Sequence, residues 1–562
     1  MTMELKVLIV GGYGIFGGRL VELLENEPRL TLFVAGRSTA KANAFIKSRR
    51  DAKARLLPAA FDRDGDVAAQ LSSLAPDLVV DASGPFQNYG DRPHRVVEAC
   101  LNHGINYLDI ADGSDFVAGI GAFDQQARDK GLYLLSGVSS FPVLTAAAVR
   151  RLSVGMTEVT AIRGGIAPSP YAVVGENVIR AIASYAGQPI QRTKSGAICA
   201  GHPFTEQLRY TVAPPGYVPL ERRMFSLVDV PDLRALPPLW PTAKDIWMGA
   251  APVPQLLHRG LTALAWLVRL HLLPSLSPLA PLFHFATNHL RWGEHRGGMF
   301  VEVEGVDSTG QPMQRSWHLL AKGDDGPYIP SMAIEAIVRH VLAGRAPRPG
   351  ARAAVRDLEL EDYDTVFAGR TIYTGSRNDA ADEAKPLFQR LLGDAYNRLP
   401  SAIRAMHDVR GSAVALGRAR IERGRNPFAQ LVGALAGFPK ANADMLVRVD
   451  FTASRDMEIW RRTFGTVSFA SRQSAGRGRL DRLLCERFGP FSFAMALVVE
   501  GERLLLVMRR WSLFGIPLPL WLCPRSQSYE SAEGGRFNFH VKISHPLVGL
   551  IVSYDGWLEP AN

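Results

Sequence analysis

The sequence predicts an α/β chain in three parts: a doubly wound parallel sheet over residues 1–150, an α+β region over residues 151–370 and a mainly antiparallel β region over residues 386–562. Three observations support this prediction. The first part alternates apolar strand-like runs with helical segments. The second combines a hairpin pattern with helices, and the third contains many short alternating strands separated by turn residues. With 562 residues the chain is too long for one hydrophobic core, so several domains are expected.

The composition is that of a globular protein, with 47% hydrophobic and 21% charged residues. The net charge of +10 comes from scattered arginines rather than dense basic blocks, so we expect no nucleic-acid partner. The four cysteines lie far apart and form no C-x-x-C pair, so we expect neither a disulfide nor a metal site. Because the first strand also starts too early for a signal peptide, we expect a cytoplasmic protein.

A glycine-rich turn follows the first predicted strand. Val7–Val10 is a short apolar run typical of a buried parallel strand, and a G-x-G-x-x-G pattern then precedes a helical run of leucines. In this context Gly12 allows a sharp turn, Gly14 a close approach to a pyrophosphate and Gly17 close packing of the helix on the strand. The helix N-terminus offers free N–H groups to the phosphates. We therefore predict a dinucleotide site in a Rossmann-type domain, formed here by Gly12, Tyr13, Gly14, Ile15, Phe16 and Gly17.

The regular alternation allows the elements of the first 150 residues to be placed. Because strand and helix alternate, the strands should run parallel, with helices on both faces of the sheet. The predicted strands are Lys6–Val10, Leu30–Ala35, Arg55–Phe61, Leu78–Ala82, Tyr107–Ile110 and Tyr133–Ser136. The predicted helices lie near Gly18–Glu25, Ala40–Ser48, Val67–Ser73, Arg92–Asn102 and Ala122–Lys130.

The end of the second predicted strand favours NADP over NAD. An NAD site usually carries Asp or Glu here to bind the ribose 2′-hydroxyl. This chain has Arg37 and Ser38 instead, and a guanidinium beside a hydroxyl suits a 2′-phosphate. The alternative is that Arg37 is an ordinary surface residue. Asp62, at the end of the third strand, is a candidate for contact with the adenine or for a turn cap.

The ends of the fourth and fifth strands should meet the same edge of the sheet. Residues after the fourth strand are expected near the cofactor ribose and nicotinamide, and these are Ser83, Gly84, Pro85 and Phe86. The fifth strand supplies the catalytic candidates Tyr107, Asp109 and Asp112, a phenol and two carboxylates that can orient a substrate or relay a proton. The alternative is that Asp109 and Asp112 cap the following turn.

The second region predicts an α+β substrate domain against the cofactor cleft. A strand is expected at Val159–Gly165 and a helix at Gly175–Tyr185. Met299–Val306 and Arg315–Ala321 alternate as the two strands of a hairpin, and a helix follows at Ile329–Leu342. The candidates to face the cleft are Glu176, Asn177 and Tyr328.

The most apolar stretch of the chain is Leu256–Phe285. A membrane-spanning helix needs about 20 uninterrupted apolar residues, and Arg269, His271 and Pro274 interrupt this stretch, so we expect no span. Three interpretations remain: a plain core helix, a buried helix pair that covers an apolar substrate tunnel, or an interfacial segment with residues such as Trp266 at the level of the lipid headgroups. The last two imply an apolar or lipid-like substrate or surface. The last also allows peripheral contact with the inner face of the membrane.

The third region predicts a strongly curved antiparallel sheet that encloses an apolar pocket, because a single sheet must bury one face. We expect Trp460, Arg461, Arg462, Glu486 and Glu530 near one another. In a strand the two arginines point to opposite faces, so one can pair with a buried glutamate, either to hold an acidic headgroup or to brace the barrel. The predicted strands are Val414–Ile421, Asp444–Ala453, Thr463–Arg472, Leu480–Phe488, Phe491–Glu500, Arg503–Trp511, Ser526–Ala532, Arg536–Ser544 and Val548–Asp555.

Residues 1–150 resemble the NADP-binding domain of the saccharopine dehydrogenase-like family. The resemblance implies NADP-dependent hydride transfer and a substrate domain against the cofactor cleft. It is closer to the enoyl reductase-like branch, because the chain departs from the true saccharopine enzymes after the sixth strand, and saccharopine is not the expected substrate. The motifs that carry it are Gly12-Tyr13-Gly14-x-x-Gly17, Ala35-Gly36-Arg37, Asp81-Ala82-Ser83-Gly84-Pro85-Phe86 and Tyr107-Leu108-Asp109.

The C-terminal region resembles a bacterial domain of unknown function that is often fused to saccharopine dehydrogenase-like proteins. The matching motifs include Trp460-Arg461-Arg462-x-Phe464, Glu486-Arg487-Phe488-Gly489-Pro490 and Gly534-Gly535-Arg536-Phe537.

Taken together, these patterns predict an NADP-dependent oxidoreductase that acts on an apolar or lipid-like small molecule. Because the sequence identifies no proton donor, two alternatives stay open. One is a non-catalytic NADP-sensing or lipid-binding scaffold, and the other is a membrane-surface adaptor.

Overall fold

The computed structural model describes residues 4–87, 89–252, 254–379, 384–435 and 437–561. The chain divides into two compact units. The first comprises Met1–Arg209, Met224–Met313 and Leu320–Ile372, and the second comprises Tyr210–Arg223, Gln314–Leu319 and Tyr373–Asn562.

The strands of the described chain, in order, are β1 (Leu5–Val10), β2 (Leu30–Gly36), β3 (Arg55–Ala60), β4 (Leu78–Asp81), β5 (Asn106–Asp109), β6 (Tyr133–Ser136), β7 (Met156–Ala167), β8 (Ile190–Lys194), β9 (Ala197–Gly201), β10 (Gln207–Tyr210), β11 (Arg223–Leu227), β12 (Asp245–Ala250), β13 (Arg296–Asp307), β14 (Pro312–Lys322), β15 (Gly350–Ala353), β16 (Ile372–Arg377), β17 (Ser412–Arg423), β18 (Asn442–Ser454), β19 (Met457–Phe464), β20 (Val467–Ala475), β21 (Leu484–Phe488), β22 (Phe491–Glu500), β23 (Arg503–Leu513), β24 (Ile516–Leu518), β25 (Arg525–Glu533), β26 (Arg536–His545) and β27 (Gly549–Pro560).

The α-helices of the described chain are α1 (Ile15–Leu24), α2 (Thr39–Lys47), α3 (Val67–Leu74), α4 (Arg95–His103), α5 (Ser114–Gly119), α6 (Asp124–Asp129), α7 (Thr145–Leu152), α8 (Glu176–Tyr185), α9 (Asp232–Ala235), α10 (Gln255–Arg269), α11 (Ala280–His289), α12 (Ile329–Leu342), α13 (Leu360–Phe367), α14 (Leu387–Leu392), α15 (Ser401–His407) and α16 (Pro427–Leu435).

The N-terminal sheet is parallel throughout and confirms the predicted doubly wound fold. Its strand order is β15-β6-β5-β4-β1-β2-β3, so the order reverses between β1 and β4. The seventh strand, β15, comes from a segment far along the chain and was not predicted. The first helix begins at Ile15 rather than near Gly18, because Gly14 is extended and already caps the helix.

A second sheet supplies the predicted α+β region of the first unit. In it β12 runs parallel to β7, whereas β13 runs antiparallel to β7 on the other side. The predicted hairpin turn is present, since the Gly310 N–H donates to the Asp307 carbonyl. The predicted helices at Gly175–Tyr185 and Ile329–Leu342 correspond to α8 and α12.

The stretch Leu256–Phe285 forms α10, α11 and the segment between them. Its interpretation as a plain core helix is wrong, because seven of its large apolar side chains are between 36% and 69% exposed. Among the described residues, no helix is long and apolar enough to cross a bilayer. The seven side chains are Leu256, Trp266, Leu267, Leu270, Leu272, Leu282 and Phe285.

The second unit contains an antiparallel barrel, which confirms the mainly antiparallel β prediction. Ten strands follow the order β22-β21-β20-β19-β18-β17-β27-β26-β25-β23, and β23 pairs back with β22 to close the barrel. The short strand β24 continues beside β23. Apolar side chains of the barrel interior pack with α14 and α15 into one core.

Two details of the barrel differ from the prediction. The predicted strand Thr463–Arg472 is divided between β19 and β20, because Gly465 adopts a φ of 57° and turns the chain. Arg461 does not join the expected cluster, because it is exposed on the outer face, whereas Arg462 lines the interior with Glu486 and Glu530. The opposite orientation of the two arginines is as predicted, since successive side chains of a strand point to opposite faces.

Candidate functional site

A cavity of about 740 Å³ lies at the carboxyl ends of the parallel strands in the first unit. Its lining comes from the turns after β1, β2 and β3 on one side of the strand-order reversal and from those after β4, β5 and β6 on the other. Open α/β sheets bind ligands at this position. Of the predicted site residues, those that line the cavity are Tyr13, Gly14, Ile15, Phe16, Arg37, Asp62, Ser83, Gly84, Pro85, Phe86 and Asp112.

The glycine loop after β1 forms one wall of this cavity. The positive φ of 78° belongs to Gly11, so the sharp turn that the sequence analysis assigned to Gly12 is made one residue earlier. Gly17 lies behind the loop, where a Cβ would be 2.2 Å from the Gly11 carbonyl oxygen. Within the described residues no side chain caps α1, so its first N–H groups are available to an anion. Gly12 and Gly17 shape the loop without lining the cavity.

The end of β2 presents a cation. Arg37 is exposed, lines the cavity and makes no hydrogen bond or ion pair with the described residues. Ser38 does not line the cavity, because it caps α2 through a 3.3 Å hydrogen bond that its hydroxyl accepts from the Lys41 N–H. The Tyr13 hydroxyl accepts from the Ser38 N–H at 3.0 Å and so links the glycine loop to this turn.

The turn after β3 carries a second cation, which the sequence analysis missed. Asp62 closes the turn, because its side chain accepts from the Asp64 N–H at 3.1 Å, and it also lines the cavity. Arg63 lies with its guanidinium carbon 3.7 Å from the centre of the Tyr89 ring. Its buried Nη1 has no hydrogen-bond partner among the described residues, although Arg63 lines the cavity. A buried donor of this kind favours an acceptor on a ligand.

A buried carboxylate holds the loop after β4. Asp81, at the end of β4, accepts from the Ser83 N–H at 2.9 Å and from the Ser83 hydroxyl at 2.6 Å. Its other oxygen accepts from the Tyr89 hydroxyl at 3.0 Å. Burial raises the pKa of Asp81, and these hydrogen bonds oppose the rise. Asp81 therefore positions Ser83 at the cavity wall, a role that the sequence analysis did not assign to it.

Two of the three catalytic candidates lie away from the cavity. Tyr107 is fully buried in the hydrophobic core of the sheet. Asp109 is fully buried, and one of its oxygens accepts from the N–H groups of Ala111 and Gly137 and from the Ser136 hydroxyl. These contacts join the ends of β5 and β6, so the geometry supports the turn-capping alternative for Asp109. Burial raises the pKa of Asp109 to about 7.

Asp112 is the candidate that lines the cavity. The Asp112 side chain is exposed at the cavity wall, but the protein atoms around it still desolvate its carboxyl and raise its pKa; a hydrogen bond with Gln87 lowers the pKa, and the charge of Asp229 raises it. The pKa of Asp229 is likewise raised by burial, while the hydroxyl of Ser114 donates to it at 2.6 Å. A carboxyl group with a raised pKa holds its proton closer to neutral pH, which suits a general acid.

The opposite wall of the cavity comes from the second sheet and its helices. Glu176 and Asn177, at the start of α8, line the cavity, and the Asn177 amide donates to the Gly84 carbonyl at 3.1 Å. Tyr328 does not line it, because its hydroxyl donates to Glu22 at 2.5 Å. Ser139 and Ser140, which follow β6, add two hydroxyls that the sequence analysis did not assign to the site.

Comparisons with family models find two matches in the chain. Residues 7–135 match the family described as the saccharopine dehydrogenase NADP binding domain, and residues 399–558 match a domain of unknown function, DUF4166. Both resemblances that the sequence predicts are therefore confirmed. A search of curated proteins finds no significant match.

Solved structures with similarity to the chain include two dehydrogenases. Apo saccharopine dehydrogenase (L-Glu forming) from Saccharomyces cerevisiae is 13% identical, with a TM-score of 0.47, and the alignment covers 66% of this chain and 99% of that one. A dehydrogenase from Chromobacterium violaceum is 9% identical, with a TM-score of 0.30 and coverage of 65% and 93%.

The fold and the matched N-terminal domain define the class of the protein as an NAD(P)-dependent oxidoreductase. In particular, it joins a saccharopine dehydrogenase-like NADP-binding domain to a C-terminal DUF4166 barrel.

Proposed function

We propose that this protein is an NADP-dependent oxidoreductase that transfers a hydride to or from an apolar or lipid-like substrate. The proposed preference for NADP rests on the Arg37 guanidinium, which lines the cavity and has no hydrogen-bond or ion-pair partner among the described residues. No Asp or Glu stands between Gly36 and Lys41 to repel a 2′-phosphate. The N-terminus of α2 lies beside Arg37 and adds the positive end of a helix dipole.

The other cavity residues also fit a dinucleotide. The uncapped α1 offers N–H groups for the pyrophosphate, and the unpartnered Nη1 of Arg63 is a further donor toward an anion. A bound nicotinamide supplies the hydride chemistry, and the protein positions the reacting carbon and excludes water. Asp112 would deliver the proton, since it lies at the β5 end of the cavity with a raised pKa.

Titration calorimetry with NADPH and NADH tests the cofactor preference. Arg37→Ala should weaken NADPH binding by about 5- to 150-fold, the equivalent of about 1–3 kcal/mol for a charge-assisted contact. NADH binding should change little. Arg50→Ala is the matched control, because Arg50 is exposed beyond the C-terminal end of α2 and does not line the cavity. Equal losses for both cofactors would contradict NADP specificity.

The proposal of an apolar substrate rests on the helix pair α10 and α11. Helix α11 packs against α8, and the Asn288 amide donates to the Val174 carbonyl at 3.1 Å. The next residues, Gly175 and Glu176, line the cavity. The exposed apolar surface of α11 therefore lies one helix away from the cofactor cavity. Such a surface suits the capture of an apolar substrate.

The charge of the helix pair supports peripheral contact with an anionic membrane surface. Residues 255–293 contain Arg259, Arg269 and Arg291 but no Asp or Glu. Trp266 lies under the Arg269 guanidinium at 4.7 Å, which is an arrangement suited to the headgroup region. Amphipathic helices that present basic and apolar side chains together bind anionic membrane surfaces, because the basic groups attract the lipid headgroups and the apolar side chains are buried at the interface.

Turnover distinguishes the enzyme from a scaffold. Wild-type protein should oxidise NADPH, or reduce NADP⁺, when an apolar lipid extract is added, and Asp112→Asn should lose this turnover while it keeps its affinity for NADPH. Tight NADPH binding without turnover on any lipid fraction would instead favour the non-catalytic scaffold.

A further inference from the structure

The barrel of the second unit encloses a cavity that is separate from the cofactor cavity. Its volume is about 240 Å³, just below the roughly 300–1,000 Å³ of most ligand pockets. It therefore suits a small or slender molecule. Phe388 lines one side of it and belongs to α14, which packs with α15 into the barrel core.

The wall of this cavity is a continuous aromatic belt. Phe438 stacks on Phe488 with 6.0 Å between ring centres, and the edge-to-face contact of Phe469 with Phe488 has a distance of 5.4 Å. The belt continues from Phe464 to Tyr554 at 5.7 Å. An aromatic lining of this kind binds the apolar body of a ligand.

The charged side chains of the lining are already paired. Arg462 donates to Glu486 at 3.3 Å and to the Ser471 hydroxyl at 2.7 Å. Glu530 lies 2.6 Å from the ring Nε2 of the buried His407. His540, which also lines the cavity, contacts Asp555. An ionised ligand would have to enter without a free counter-charge, and a buried unpaired charge is costly.

Among the described residues of the cavity lining, one buried polar atom has no hydrogen-bond partner. Gln473 is 2% exposed and lines the cavity, and its Nε2 donates to Glu486 at 3.1 Å. This contact orients the amide, because a carboxylate accepts and only the nitrogen can donate. The opposite atom, Oε1, is buried and has no hydrogen-bond donor among the described residues. It is an acceptor that a ligand hydroxyl would satisfy.

The ladder between β23 and β25 is short beside this cavity. Within the described residues, the two strands pair at two positions, Leu504 with Glu530 and Leu505 with Tyr529. Met508, Ser526 and Ser528, on the same two strands, line the cavity as half-buried residues.

We propose that the barrel binds a small neutral amphipathic molecule, a medium-chain alcohol or alkylphenol, whose hydroxyl donates to Gln473 Oε1 while its apolar body fills the aromatic belt. The paired state of Arg462 makes a carboxylate headgroup the poorer ligand. This site is independent of the cofactor cavity and of the reaction proposed for it.

Titration calorimetry on the full-length chain with 1-octanol and octanoate tests the proposal. Wild-type protein should bind 1-octanol at one site and octanoate more weakly. Gln473→Leu should weaken 1-octanol binding about tenfold, the scale of one buried hydrogen bond. The matched control is Gln527→Leu, because Gln527 is exposed on β25 and does not line the cavity. Ser528→Phe should abolish binding by filling part of the cavity, because Ser528 lines it.

The melting temperature of each variant, followed by circular dichroism, shows that it is folded. Absence of saturable 1-octanol binding by the folded wild-type chain would overturn the site. Equal 1-octanol affinity of Gln473→Leu and wild type, or tighter binding of octanoate than of 1-octanol, would overturn the assignment of a hydroxyl-bearing ligand.

Discussion

The substitution Gly17→Ala tests how the glycine loop forms the cofactor cavity. An added Cβ would lie 2.2 Å from the Gly11 carbonyl oxygen and 3.0 Å from the Gly12 Cα. Both neighbours are backbone, so the loop must move by about 1 Å to restore ordinary contact. A misplacement of about 1 Å at a binding site can cost on the order of 100-fold. Because Gly11 and Gly14 line the cavity, affinity for NADPH and NADH should fall together.

Gly18→Ala is the matched control on the same helix. Its Cβ would meet a side chain, the Phe45 ring, at 3.2 Å, and a ring edge can shift by a few tenths of an ångström. Both variants gain about the same helix propensity, roughly 0.5–1 kcal/mol. Titration calorimetry should therefore show a loss on the order of 100-fold for Gly17→Ala and nearly wild-type affinity for Gly18→Ala. Wild-type affinity of Gly17→Ala, or an equal loss in Gly18→Ala, would refute the reasoning.

Two further predictions concern a buried carboxyl and the exposed helix pair. Asp109→Asn should flatten the pH dependence of the melting temperature. The folded chain keeps the Asp109 proton up to a pKa of about 7, whereas the unfolded carboxyl loses it near about 3.9, so stability falls as pH rises through this window. Calorimetry from about pH 5 to 8 measures how the melting temperature changes with pH. The control is Asp129→Asn, at an exposed carboxyl. An unchanged dependence of the melting temperature on pH in Asp109→Asn would contradict this reasoning. The double variant Leu282→Ser, Phe285→Ser should reduce flotation with phosphatidylglycerol vesicles, whereas Ile198→Ser, at a side chain 77% exposed on β9, should not. Flotation of this double variant at the wild-type level would show that the helix pair is not the surface that contacts the vesicles.

The N-terminal fold follows from local patterns in the sequence. Buried parallel strands read as apolar runs, and β1 with its following glycines is visible without knowledge of any distant contact. The position of the cavity follows from the same alternation, since strand ends in a parallel sheet share one edge. Eleven of the predicted site residues line the cavity for that reason.

Sequence patterns also predicted the curved antiparallel sheet of the C-terminal region, but not its closure into a barrel, and with errors in its details. Alternation along a strand indicates which residues share a face, and Arg462 and Glu486 do lie on the inner face together. The turn at Gly465 was missed, although the apolar positions change there from even-numbered residues, such as Phe464, to odd-numbered ones, Val467 and Phe469. The strand β15 was missed because its pairing with β6 joins Gly350–Ala353 to residues more than 200 positions away.

The roles of individual polar residues were decided by the tertiary structure. By sequence alone Asp81, Asp109 and Asp112 are equivalent, since each lies at or just after a predicted strand. In the fold, Asp81 holds Ser83, Asp109 joins two strand ends, and Asp112 lines the cavity. A residue's exposure and partners depend on segments distant in the chain. For example, Glu486 on the neighbouring strand binds the Gln473 amide nitrogen and leaves the amide oxygen without a donor among the described residues. The sequence therefore determined the sheet, the glycine loop and the class of cofactor, because these depend on local pattern. Only the packing of distant segments decided which carboxyl reaches the cavity and which buried acceptor lacks a donor.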